Sequence, residues 1–295
     1  MAEKKLQGVP DTLYIPLTAR IYASRRFPSY FYDAKSLSIE DALPNDSIAR
    51  RSNEYVQMAS VARYYNLDQM VRSFMDEHGR CNIINLGAGL ETAYFRLQPP
   101  QSVTFYEVDF PEVIAERRRV LGDSPNEVLL GSDLFDLDWA NRIDTELPSL
   151  LTASGVFQYC HQEQVLGFIA QARGRFARAE LIFDATNRRG LAYANRYVRR
   201  TGNTQALMRF SLNDGRAERH HAHRPTAIFH AGTAAAQAQP FALLPSGHVG
   251  GRRGPCPQHD AAPRAVANGG PLLVLPSQSA TFAPCNRRGH HLINN

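Results

Sequence analysis

Between Cys81 and Phe183 the chain alternates short apolar runs with longer mixed segments, and this alternation limits its possible folds more than any other feature. The runs are Cys81 to Leu86, Val103 to Val108, Val128 to Leu130, Leu150 to Phe157 and Leu181 to Phe183. Short continuous apolar runs of this kind predict strands buried on both faces. The intervening segments, Thr92 to Leu97, Pro111 to Leu121, Leu137 to Ile143 and Gln162 to Phe176, predict crossover helices. Repeated strand-helix-strand units give an α/β fold, a Rossmann-like doubly wound, mostly parallel sheet. Ligands of such sheets bind beyond the carboxyl ends of the strands, so function is sought in the residues directly after each run.

The preceding segment, 11 to 80, reads as mainly helical. From Ser52 to Glu77, the residues Tyr55, Met58, Ala59, Ala62, Leu67, Met70, Val71 and Phe74 recur at spacings near three and four, an amphipathic pattern broken around Tyr65-Asn66, with a helix stop at Gly79. Residues 1–80 are assigned to an N-terminal helical lid or cap, and 81–217 to the sheet domain. Tyr14, Tyr22, Phe27, Tyr30, Phe31 and Tyr32 suit either an aromatic lid over a ligand or a core.

Residues 218–295 follow different statistics. Eight of the ten histidines lie there, with no tyrosine or tryptophan, which predicts an irregular C-terminal tail. Only Pro271 to Pro276 suggests a strand, and its flanking prolines argue against it. Sheets of this type usually finish with two further strands, so one sheet edge is expected to stay uncovered, with poor solubility as a result. Arginine supplies nearly all of the 33 basic residues, as a GC-rich coding sequence would. A frameshift near Ala217 to His220 is one explanation of such a tail.

The net charge of +5 belongs to this tail, since the body is nearly neutral. No phosphate-tracking surface is implied, and nucleic acid is not an expected partner. No apolar run reaches a spanning length of about 18 residues, so a membrane partner is not expected and a cytoplasmic location is. The four cysteines are scattered, without the spacing of a disulfide framework or a metal site. His220-His221-Ala222-His223 offers imidazoles with no patterned element to fix them, so no metal is expected.

The first strand runs into Gly87-Ala88-Gly89, where two glycines let the backbone turn tightly and approach a ligand. A dinucleotide fingerprint would place a third glycine at 92, but Thr92 stands there, which disfavours a nicotinamide cofactor. The second strand delivers Glu107 and Asp109. Asp109, 20 residues past Gly89, is where an acidic side chain would accept from both hydroxyls of an adenosine ribose. Because Asp109 precedes Phe110-Pro111, it also suits capping of the next helix. His161, just after the fourth strand, is either a general base or a cap of the Gln162 helix.

The segments Ile84 to Leu97 and Phe105 to Val113 resemble the leucine carboxyl methyltransferase family, and residues Thr12 to Asp214 resemble its polyketide O-methyltransferase branch. That resemblance implies S-adenosyl-L-methionine as cofactor and a small-molecule methyl acceptor. It also implies that Arg63 binds the cofactor's carboxylate and that Asp133 and Leu134 hold its adenine. Where the family usually carries a glutamate before Gly-Val, this chain has Ser154. A cofactor-binding but inactive protein is the alternative, because of the tail. No motif speaks to oligomeric state.

Overall fold

The computed structural model describes residues 13–42, 54–200, 207–212 and 272–276. Four helices precede or follow the first strand: α1 (Tyr14–Arg26), α2 (Ala34–Ser38), α3 (Glu54–His78) and, after β1 (Cys81–Leu86), α4 (Ala93–Leu97). The chain continues through β2 (Val103–Asp109), α5 (Pro111–Leu121), β3 (Glu127–Gly131), β4 (Ser149–Ala153), α6 (Gln162–Arg175), β5 (Ala179–Asp184), α7 (Arg188–Arg200) and β6 (Leu272–Pro276). The sheet order is β3-β2-β1-β4-β5-β6, with β1 to β5 parallel and β6 antiparallel to β5. The order reverses between β1 and β4, which opens a crevice above their carboxyl ends.

Alternation along each strand sorts the core into two layers. Ile84, Leu86, Tyr106, Val108, Leu151 and Leu181 face α6 and the 3-10 turn Asp138–Arg142, packing on Val165, Phe168, Phe176 and Trp139. Ile83, Phe105, Leu150 and Ile182 face α3 and α4, packing on Leu67, Val71, Phe74 and Leu97. Each fully buried side chain of this size stabilises the fold by about 1.5–3 kcal/mol. The carboxyl half of α3 is thus a layer of the sheet domain, and residue 80 does not mark a packing boundary.

Several expectations are corrected. Helix α3 runs unbroken through Tyr65-Asn66, where the amphipathic pattern breaks, with Asn66 Nδ2 donating to Ala62 O at 2.9 Å and Tyr65 stacked on Tyr30. Strand β4 stops at Ala153, since Gly155 turns the chain at φ 74° and Phe157 enters the core from the 3-10 turn Phe157–Tyr159. Residues 138–142 are 3-10 rather than α-helical, and α7 went unforeseen. The tail is not wholly irregular, because residues 272–276 pair along β5 from Asp184↔Leu272 to Glu180↔Pro276 and cover the edge expected to be open. The histidines of the tail and the suggested frame change near Ala217 to His220 lie outside the described residues.

Most of the disputed aromatic rings are packing groups. Tyr14 and Phe31 are buried, Tyr22 and Phe27 meet edge to face, and Tyr32 is exposed. Among the described residues, no helix is long and apolar enough to cross a membrane.

Candidate functional site

All five parallel strands deliver their carboxyl ends to one rim, where Gly87, Asp109, Asp133, Ser154 and Asp184 follow or end β1, β2, β3, β4 and β5 in turn. The glycine turn is fixed by its neighbours. Gly87 N and Ala88 N donate to Val108 O at 2.8 and 3.1 Å, and Gly89 N donates to Asp109 Oδ2 at 2.8 Å. Gly87 and Gly89 lie in the left-handed region at φ 64° and 48°, which an L side chain rarely adopts. A Cβ on Gly87 would stand 2.4 Å from Val156 Cγ2.

Two buried arginines that the sequence reading missed hold the carbonyls that follow. Arg117, on α5, donates to Gly89 O at 3.2 Å and Glu91 O at 2.6 Å. Arg20, on α1, donates to Leu90 O at 2.6 Å. Thr92, where a dinucleotide fingerprint wants glycine, is buried and donates to Asp33 Oδ2, beside Ser36 of α2. Arg96 then joins Asp68, Asp33 and Glu91, tying α3 and the segment before α2 to the turn. Burial alone would push the Asp33 and Glu91 carboxyls up, yet the Arg20 and Arg96 guanidiniums hold both below their ordinary values.

Asp109 accepts from Phe110 N at 2.8 Å on Oδ1, opposite the bond to Gly89. Asp109 is not the N-cap of α5, which is Phe110 with no side-chain cap bond, but this contact steadies the entry to the helix from the rim. Burial pushes its carboxyl above the ordinary value, against the pull of the two backbone N–H groups and Arg117. A desolvated carboxylate with spare lone pairs gains from further donors such as ribose hydroxyls.

Glu107 requires correction as a cofactor contact. It is fully buried, takes Asn85 Nδ2 on both oxygens at 3.0 Å, and pairs with Arg117 at 3.2 Å. Arg117 also meets Glu127 at 2.5 Å. Two carboxylates on one guanidinium leave an excess negative charge in the interior. Burial, joined by Glu127 and resisted by Arg117, pushes Glu107 up to about 8.

Asp133 caps the 3-10 turn Leu134–Asp136, accepting from Phe135 N at 2.9 Å. Leu134 is half-buried against the core, and its carbonyl accepts from Trp139 Nε1 at 3.0 Å. Phe110 is a large ring left half exposed between Asp109 and Pro111, a feature that sequence alone could not separate from core.

Arg63 projects from α3 to the far end of the rim. Its Nη1 donates to Asp184 Oδ2 at 2.9 Å, and Asp184 Oδ1 accepts from Gly155 N at 2.6 Å. Arg63 Nε and Ser154 Oγ are buried with no hydrogen-bond partner. Such orphans are costly in an interior and mark a place where a polar ligand completes the structure. A zwitterionic amino-acid group beside the glycine turn, with adenosine toward Asp109 and Asp133, fits this donor and acceptor set.

His161 is an exposed residue at the N-cap of α6, where its N–H donates to Gln164 Oε1 at 3.0 Å. Arg209 Nη1 lies 2.5 Å from His161 Nε2. A guanidinium only donates, so it occupies the lone pair that a general base would need. The geometry favours the capping role over the base. Among the described residues no cluster of ligands suits a metal ion.

A doubly wound sheet carrying a glycine turn, a rim of acidic side chains and an arginine paired with Asp184 defines an S-adenosylmethionine-dependent methyltransferase. Residues 18–172 match the profile of the leucine carboxyl methyltransferase family, and the chain belongs to that family. It is 24% identical over 202 residues to the tetracenomycin polyketide synthesis O-methyltransferase TcmP of Streptomyces glaucescens, covering 68% of this chain and 75% of that protein. Rat leucine carboxyl methyltransferase 1 is 25% identical over 155 residues, 41% of this chain and 47% of that protein. Among solved structures, a candidate methyltransferase from Thermobifida fusca shares the fold with a TM-score of 0.57 at 16% identity, covering 88% of this chain and 94% of its own.

Proposed function

We propose that this protein transfers a methyl group from S-adenosylmethionine to an oxygen of a small molecule, a carboxylate or phenol of the aromatic polyketide kind. The observation carrying this reading is the likeness to TcmP, which spans 68% of this chain and 75% of that protein. Arg63 and Ser154 would hold the amino-acid end of the cofactor, Gly87 and Gly89 would admit it closely, and Asp109, Asp133 and Leu134 would hold its adenosine. When bound, the cofactor supplies a methyl group already activated by the sulfonium. The protein's own contribution is then alignment and the exclusion of water.

A carboxylate acceptor, with an ordinary pKa near 4, is ionised at neutral pH and needs no base. A phenol, with a pKa near 10, gains from one. The engagement of His161 by Arg209 supports the carboxylate.

Two measurements test the proposal. Calorimetric titration of the full chain with S-adenosylhomocysteine reads the cofactor site, and radiolabelled methyl transfer to a panel of aromatic acids and phenols reads the reaction. Alkaline hydrolysis of the product separates the acceptors, since a methyl ester releases methanol and an aryl methyl ether does not. Transfer to nitrogen acceptors alone, or none to oxygen by chain that binds cofactor, would overturn the reading.

A further inference from the structure

The methionine end of the cofactor carries two opposite charges, and Arg63 answers only one of them. A carboxylate on Arg63 leaves the α-ammonium beside it, a group with three N–H donors and no use for a second guanidinium. Ser154, after β4, offers only an uncharged hydroxyl. Among the described residues, the carboxylate joined to Arg63 is Asp184, at the end of the neighbouring strand. The β4–β5 register pairs Ala153 with Phe183, so the next residues along are Ser154, just past β4, and Asp184, the last of β5.

We infer that Asp184 is the acceptor for the α-ammonium of the cofactor, and that Arg63 and Asp184 form a paired receptor for its zwitterionic end. This rests on the cofactor-site reading proposed above. Asp184 uses one oxygen on Gly155 N and the other on Arg63 Nη1, while a carboxylate offers about four lone-pair sites. It therefore accepts the ammonium without releasing either bond. The side chain is 14% exposed, beside an Arg63 that is 22% exposed, so the pair meets solvent at the rim but is largely desolvated. In such surroundings alternating charges attract strongly. The bond to Gly155 N holds the Asp184 carboxylate over the turn after β4, while the glycine's φ of 74° keeps that N–H turned toward it.

The test uses ligand analogues as one arm and Asp184→Asn as the other. Calorimetry of the full chain would compare S-adenosylhomocysteine, its analogue lacking only the α-amino group, and 5′-methylthioadenosine, which lacks the whole amino-acid end. In the wild type, deamination should weaken binding about 10- to 100-fold, the range of a lost charge-assisted hydrogen bond. In D184N that difference should nearly vanish, while 5′-methylthioadenosine binds both proteins alike. Equal affinity of the wild type for S-adenosylhomocysteine and its deaminated analogue overturns the inference, and this arm stands even where D184N does not fold. A D184N protein that weakens all three ligands equally, with an unchanged circular dichroism spectrum, also overturns it, since Asp184 would then serve only to hold Gly155. Failure of the wild type to bind any of the three would instead remove the cofactor-site reading itself.

Discussion

Replacing Gly87 by alanine tests the construction of the glycine turn, and its cost divides into two parts. The left-handed φ of 64° penalises any L side chain by about 1–2 kcal/mol. The added Cβ also meets Val156 Cγ2 at 2.4 Å and Cγ1 at 3.3 Å, an overpacking worth about 1–3 kcal/mol. G87A should therefore lose about 2–5 kcal/mol in all. V156A removes two methyl groups from a half-buried position, at a cost of about 1 kcal/mol. The double variant keeps the backbone strain but loses the clash. Its loss should lie about 1–3 kcal/mol below the sum of the single losses, a coupling measurable by urea denaturation with unchanged m-values. Additivity within about 0.5 kcal/mol, or a G87A as stable as the wild type, would refute the argument that contact with Val156 excludes a side chain at 87.

Three further outcomes follow from the charge networks. Glu107, held neutral up to about 8, contributes stability that is fully present below the ordinary 4.5 and is lost as pH rises through about 8; E107Q should flatten that decline in urea midpoints measured across the window. The depressed Asp33 and Glu91 act in the opposite sense, stabilising above their unfolded values and losing that contribution as pH falls through their folded ones. D33N, which strands Arg20 and Arg96 without that partner, should cost about 3–5 kcal/mol at pH 7 and show a weaker acid-side decline in thermal melts. Q164A should remove the side-chain half of the cap that opens α6, at a cost of about 1 kcal/mol, whereas H161A should leave the pH dependence of kcat unchanged, and loss of the acid-side limb from that profile would restore His161 as the base.

The five parallel strands were legible because buried apolar runs have few other outcomes, and so was the glycine turn. The limits of legibility are equally physical. Alternation along β2 assigns Glu107 and Asp109 to one face but not to a depth, and depth separates an interior ion pair from a ligand contact. The apolar Val156-Phe157 extends the fourth run in sequence, yet Gly155 turns the backbone and sends Phe157 into the core from outside the strand. Helix α7 carries five arginines in 13 residues, so a segment this polar overall hides the helical spacing of its few apolar residues. Asp184 was within reach, because the rule that directs attention to strand ends includes the fifth strand. Arg20 and Arg117 were not, since an arginine on an amphipathic helix ordinarily reads as surface until three-dimensional packing buries it.

The three carbonyls of residues 89 to 91 are gripped by those two arginines, one from α1 of the helical cap and one from α5, the crossover helix after β2. Fixing a residue's backbone costs about 1–2 kcal/mol of conformational entropy, and here that cost falls on folding. On the proposed placement of the cofactor, the turn is a receptor that has little left to organise, and affinity is not diminished by having to shape it. The same arrangement makes the cap a sensor of the turn. A ligand whose binding shifts Leu90 also pulls on α1 through Arg20, and by linkage a second ligand that binds α1 would change the first one's affinity by the same factor that the first changes its own.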